Sequence, residues 1–111
     1  MRIAVMGTGS WGTAYAMVLA DAGNEVVMWG RDAALCASIS NDHENPRYHP
    51  GIALPPVISA TPDADKALAV AEVVVLAVPA QSLRANLGDW RPYVPRDAVL
   101  DRKSTRLNSS H

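Results

Sequence analysis

Six residues, Gly7-Thr8-Gly9-Ser10-Trp11-Gly12, limit this chain's fold more than any others, because their glycines are spaced G-x-G-x-x-G between two strongly patterned segments. Before them stands Ile3-Ala4-Val5-Met6, apolar on every position, which reads as a strand buried on both faces of a parallel sheet. After them, Ser10 to Ala22 reads as a helix that Gly23-Asn24 ends, since either residue tolerates the left-handed position past a helix. In that setting each glycine has its own mechanical task. Gly7 permits a tight turn out of the strand, Gly9 lets backbone approach a pyrophosphate, and Gly12 lets the helix lie close to the strand. The N–H groups and positive dipole end of the helix then face the anion. The strand–turn–helix context makes this a dinucleotide-binding signal; the alternative is a glycine turn that serves packing alone.

The rest of the chain fits that beginning. Val26-Val27-Met28-Trp29 is a second apolar strand, and strand, glycines, helix and strand together occupy about thirty residues, the length of one βαβ unit. Ala14, Val18 and Ala22, widened by Met17 and Leu19, are expected to form the buried face of the first helix. A second helix is expected from Asp32, its cap, to Ser40, with Leu35 and Ile39 on one face. A long loop follows from Asn41 to Pro56. Val57 to Ala60 reads as a third strand, and Thr61-Pro62-Asp63 as a helix start with Thr61 as cap. Val73 to Val78 is the strongest strand, Leu83, Leu87 and Trp90 mark a helix face, and Ala98-Val99-Leu100 opens a fifth strand. The fold class is therefore α/β, a Rossmann-like doubly wound parallel sheet, incomplete at its C-terminal side because a sixth strand is missing.

Composition removes several other classes. A chain of 111 residues suits one small domain, and 49% hydrophobic content argues against disorder. A formal charge of −1 gives no general attraction to nucleic acid or to an acidic membrane surface. No apolar run reaches the ~18 residues that a membrane span needs, and the N-terminus lacks the pattern of a signal peptide. Cys36 is the one cysteine, so an internal disulfide is impossible, which suits the cytoplasm. Its thiol reads as a small apolar filler. His43 and His49 have five residues between them and no third ligand nearby in sequence, so no metal site is expected.

Cofactor selectivity is expected at the end of the second strand, where an acid usually meets the adenosine ribose about twenty residues past the glycines. Here Trp29-Gly30-Arg31-Asp32 leaves that slot without an acid and places Arg31 beside it. Arg31 suits pairing with a 2′-phosphate, or stacking on adenine; a solvated surface charge is the bland alternative. Asp32 is either the ribose acid displaced by a residue or only a helix cap. The residues favour NADPH over NADH. Pro79, at the carboxyl end of the strongest strand, either faces the cofactor or simply stops the strand.

Several stretches resemble the glycerol-3-phosphate dehydrogenases. The glycine loop is followed by Thr13-Ala14, as in that family, and Trp11 supplies the aromatic before the third glycine. His43-Glu44-Asn45-Pro46-Arg47-Tyr48-His49-Pro50-Gly51 resembles the family's H-E-N-x-x-Y-L-P-G loop, with His49 in place of Leu. Leu54-Pro55 and Val78-Pro79-Ala80-Gln81 resemble two further family segments, in family order. The resemblance implies reversible hydride transfer between dihydroxyacetone phosphate and glycerol 3-phosphate with NADPH or NADH, feeding glycerophospholipid synthesis in the cytoplasm. It places Ser10, Trp11 and Arg31 on the cofactor, together with Tyr48, which by its own chemistry equally suits a loop anchor.

The resemblance stops after Leu100. The family continues with a segment of the type S-L-x-K-G, and this chain reads Asp101-Arg102-Lys103-Ser104-Thr105 instead, so Lys103 inherits no role. Residues 1–100 carry 7 Lys and Arg against 10 Asp and Glu, whereas residues 101–111 carry Arg102, Lys103 and Arg106 against Asp101 alone. Residues 1–100 are thus expected to form a partial dinucleotide-binding domain. Residues 101–111 are expected to be a non-native, disordered tail of the kind translated from adapter DNA. The family's helical domain, which supplies its catalytic Lys and its phosphate-binding Arg and Asn, has no counterpart here. No catalytic residue is therefore assigned, and the chain alone is expected to be inactive. Two rivals are a stand-alone nucleotide-binding module without catalysis and the front half of another hydroxyacid or ketoacid reductase, against which the H-E-N-x-x-Y loop speaks.

Overall fold

A computed structural model of the chain describes residues 1–69, 71–78, 88, 90–93 and 99–102. Five parallel strands form one sheet: β1 (Arg2–Met6), β2 (Glu25–Trp29), β3 (Ile58–Thr61), β4 (Val73–Leu76) and β5 (Val99–Arg102), in the order β3-β2-β1-β4-β5. The apolar stretches pair in parallel because each is buried on both faces and so needs helices on both sides. Side chains alternate between the two cores, as strand geometry requires. Ile3, Val5, Val26, Met28, Ile58 and Val75 point to one, where Ala16, Ala20, Leu35 and Ile39 cover them. Ala4, Met6, Trp29, Val74 and Leu76 point to the other, under Ala67, Leu68, Ala71 and Trp90. The sheet is doubly wound, as its alternating pattern implied. Trp29 and Trp90 meet edge to face in the second core, with ring centroids 5.0 Å apart.

Helix α1 (Ser10–Asp21) begins and ends where the glycines dictate. Gly23 takes a φ of 96°, its N–H donates to Ala20 O at 3.0 Å, and the N–H of Asn24 donates to Leu19 O at 3.2 Å. This pair of bonds is a Schellman ending. The buried face is not the one expected from Ala14, Val18 and Ala22. Gly12, Thr13, Ala16 and Ala20 are buried, while Val18 and Ala22 are exposed. The helix is apolar nearly all round, so periodicity alone does not select a face. Packing places the smallest side chains inward, where they let the helix approach the sheet closely.

Further departures are local. Helix α2 (Ala33–Ala37) is capped by Asp32 as expected but continues as a π-helical turn, Ser38–Asp42, until His43 takes a left-handed φ of 55°. Strand β3 begins at Ile58 rather than Val57, and Thr61 is its last residue. Thr61 is therefore not the cap of helix α3 (Ala64–Leu68), whose N-cap position belongs to Asp63. The Thr61 hydroxyl instead accepts the N–H of Asp63 at 3.1 Å across the turn. Strand β5 carries pairing through Arg102, two residues past the boundary expected at residue 100. Pro79, Leu83, Leu87 and the tail from residue 103 lie outside the described residues. Among the described residues, no helix is long and apolar enough to cross a membrane.

Candidate functional site

The register aligns the carboxyl ends of the strands in one row, Thr61, Trp29, Met6, Leu76 and Arg102. Strand β1 lies between β2 and β4: the chain runs from β1 outward through β2 and β3 on one side, then crosses back to β4 and β5 on the other. A crevice opens at such a switch point in open α/β sheets, and the glycine loop stands there.

Two of the three glycines are demanded by the protein itself. At Gly7 φ is 147°, and a Cβ would lie 2.4 Å from the carbonyl oxygen of Ala77, just past β4. At Gly12 a Cβ would lie 2.8 Å from the oxygen of Gly7 and 3.3 Å from the Ala77 side chain. The loop and the start of α1 are therefore pressed against each other and against the end of β4. Gly9 differs. It is the N-cap of α1 with φ −73° and ψ −173°, a conformation open to any residue, and a Cβ there would meet nothing within 4 Å. No side chain caps α1 and no acid stands in its first turn, so the positive end of the helix is left uncompensated beside Gly9.

A second layer holds this loop in place. Asn45 is fully buried, and its amide donates to Thr8 O at 3.0 Å and to the Thr13 hydroxyl at 2.8 Å. The Thr13 hydroxyl donates in turn to Thr8 O at 3.3 Å. The other end of the Asn45 side chain accepts the N–H of Tyr48 at 3.3 Å, and His49 Nε2 meets Ser10 O at 2.9 Å. Carbonyls of the glycine loop are thus turned toward the 43–51 segment. That segment is closed on itself by Leu54 N–H to His43 O, at 2.7 Å, and by Gly51 N–H to the Glu44 carboxylate, at 2.9 Å. His43 Nδ1 is buried without a hydrogen-bond partner. Among the described residues no three His, Cys, Asp or Glu gather as a metal site.

The end of β2 is built on Gly30, where a Cβ would lie 2.5 Å from the Thr8 hydroxyl oxygen, so the glycine loop rests directly on it. The Cys36 thiol donates to Gly30 O at 3.6 Å, and burial pushes that thiol above its ordinary range, with the charge of Asp32 adding to the effect and the Gly30 contact opposing it. Arg31 is exposed beside Gly30. Asp32 accepts the N–H groups of Ala34 and Leu35 on Oδ1 and Arg47 Nη2, at 3.0 Å, on Oδ2.

Of the residues singled out from sequence, Gly7, Gly9, Ser10, Trp11 and Gly12 gather at the start of α1. Trp11 is partly exposed and stacks on Tyr15, one turn on, at 5.1 Å. Tyr48 is exposed on the loop that Asn45 and His49 fasten to the glycines, and Arg31 approaches from β2. Thr8, Gly30, Asn45 and Arg47 complete the arrangement and carried no separate sequence signal. Asn45 stood inside the H-E-N motif without its role being evident.

This geometry has counterparts. Residues 2–102 match the family model described as the NAD-dependent glycerol-3-phosphate dehydrogenase N-terminus. The chain belongs to this family. A glycerol-3-phosphate dehydrogenase [NAD(P)+] of Streptomyces griseus is 55% identical over 100 residues, 90% of this chain and 30% of the relative. One from Nocardia farcinica is 53% identical over 107 residues, 96% of this chain and 31% of the relative. The crystal structure of glycerol-3-phosphate dehydrogenase from Coxiella burnetii superposes with a TM-score of 0.84 at 27% identity, over 91% of this chain and 31% of that one. The chain thus spans less than a third of the length of these relatives.

Proposed function

We propose that the chain is the NAD(P)-binding portion of an oxidoreductase that interconverts sn-glycerol 3-phosphate and dihydroxyacetone phosphate, feeding glycerophospholipid synthesis in the cytoplasm. NADPH or NADH supplies or accepts the hydride in that reaction. The observation that carries the reading is Gly9: among the described residues nothing excludes a side chain there, yet the position stands at the start of α1, which no side chain caps. A ligand's backbone contact accounts for that vacancy where packing does not. Gly7, Gly12 and the Asn45 clamp fix the loop; Gly9, Ser10 and Trp11 meet the pyrophosphate; Arg31 and Tyr48 flank its adenosine side; and Pro79 is assigned to the cofactor from its place in the sequence after β4 alone. Arg31 favours NADPH. The binding domain extends through Arg102, where β5 still pairs with β4, and residues 103–111 are a non-native tail.

The reading divides the work of the enzyme. Bringing a ketone within about 3–3.5 Å of the hydride donor, holding its phosphate and protonating its oxygen require cations and a proton donor. Residues 1–100 contain a single lysine that could serve as proton donor, Lys66, and it pairs with Asp63 at 3.4 Å, while the proposal gives Arg31 and Arg47 to the cofactor. Those tasks belong to a part of the protein beyond this chain's length. Calorimetric titration with NADPH and NADH tests the binding role. Gly9→Val is expected to abolish binding of both while lowering the melting temperature only modestly, since Val is a poorer N-cap than Gly but its side chain meets none of the described residues. Unchanged affinity in that variant rejects the assignment.

A further inference from the structure

Asp32 and Arg47 settle between them what the end of β2 offers a ligand. An acid that selects an unphosphorylated ribose needs a lone pair on each oxygen for the two vicinal hydroxyls. Asp32 has none to give on Oδ1, which already accepts Ala34 N–H at 3.0 Å and Leu35 N–H at 3.2 Å. Its Oδ2 holds Arg47 Nη2 at 3.0 Å. Arg47 comes from the 43–51 segment, fifteen residues on, and is brought to β2 by the fastening of Asn45 to Thr8 at 3.0 Å. Arg31 immediately precedes Asp32 in the chain.

We propose that Arg47 is a specificity-determining residue, which cancels the charge of Asp32, occupies the oxygen a ribose diol would use, and so turns the end of β2 toward a 2′-phosphorylated adenosine. The inference rests on the proposed dinucleotide reading and adds to it the group that sets cofactor choice. With Arg47 in place the Asp32–Arg47 pair is neutral, and without it an uncompensated carboxylate is left at Asp32. A 2′-phosphate dianion senses that difference and a neutral diol does not. Both partners are partly exposed, at 58% for Arg47 and 37% for Asp32, so the effect is moderated by solvent and weakens with added salt.

The test is calorimetric titration of the chain with NADPH and with NADH, at low and at physiological salt, for the unaltered protein, Arg47→Ala, Arg47→Lys and Asp32→Asn. Melting temperatures check that each variant folds. Arg47→Ala is expected to weaken NADPH by about two- to fivefold at low salt without weakening NADH, since exposed charge pairs act on this scale. Arg47→Lys keeps the charge and is expected to retain most of the preference. Asp32→Asn keeps an oxygen for the helix cap, removes the negative charge, and is expected to tighten NADPH alone. Equal loss of both cofactors in Arg47→Ala overturns the proposal and makes Arg47 a loop anchor. Selective loss of NADH in Asp32→Asn also overturns it, because Asp32 is then the ribose acid. In either case the dinucleotide reading stands, since the unaltered chain binds. If the unaltered chain binds neither cofactor, that reading fails and this inference with it.

Discussion

Replacing Asn45 tests the claim that the loop after α2 holds the glycine turn in shape. Its side chain is fully buried and makes three hydrogen bonds, two of them to groups of the first layer, Thr8 O and the Thr13 hydroxyl. In Asn45→Ala, Thr8 O keeps only the 3.3 Å bond from Thr13, and the N–H of Tyr48 loses its acceptor. Each net hydrogen bond is worth about 0.5–1.5 kcal/mol, and the space left by the amide adds to the loss. The two bonds to the glycine loop and a small cavity together amount to about 2–4 kcal/mol. For a domain of this size, that lowers the melting temperature by roughly 10–20 °C. Asn45→Asp sharpens the test, because the shape is kept and the donor is lost. The new carboxylate faces Thr8 O, where Asn45 Nδ2 now sits 3.0 Å away, so its folded-state pKa rises above the ordinary ~3.9. A raised pKa means that the variant is relatively most stable below about pH 4, where the protonated acid can donate as the amide did. That stability is lost as pH rises through the folded-state value. Urea or thermal unfolding by circular dichroism from acid to neutral pH measures it. A neutral-pH Asn45→Asp variant as stable as the unaltered chain, or an Asn45→Ala loss under about 0.5 kcal/mol, refutes the clamp.

Gly7→Ala is expected to destabilise the chain by at least about 2 kcal/mol, because a Cβ at φ 147° runs into the Ala77 carbonyl; a normal melting curve would contradict the packing described. Burial raises the Cys36 thiol, so a thiol reagent should modify the folded chain far more slowly than the chain in urea at neutral pH, and fast modification of the native form would count against that burial. The same shift means that the contribution of Cys36 to stability is complete below the ordinary thiol range and declines as pH rises through it toward the folded-state value, a decline that Cys36→Ala should remove. Dihydroxyacetone phosphate is expected to cause no loss of NADPH absorbance with the chain alone. Turnover abolished by Gly9→Val would place a catalytic group within it.

What the sequence determined was whatever a few adjacent residues settle among themselves. An all-apolar strand must be covered on both faces, so Ile3 to Met6 and Val73 to Val78 announced a parallel, two-sided sheet, although the latter strand ends at Leu76. Gly23 and Asn24 ended α1 through backbone bonds, and Asp32 capped α2 through its side chain, all reaching no more than five residues. The glycine spacing located the turn for the same reason, since Gly7 and Gly12 contact each other. Tertiary structure decided the rest. Which face of α1 is buried depended on how closely Ala16 and Ala20 let it approach the sheet, a choice that an almost uniformly apolar helix leaves open. The π-helical turn before His43 and the left-handed turn at that residue are set by where the following segment must go. Asn45 is 37 residues from Thr8, and Arg47 is 15 from Asp32. Neither partner carries a mark of the other in sequence, because a buried amide or an exposed guanidinium acquires its meaning only from the group that folding brings within about 3 Å.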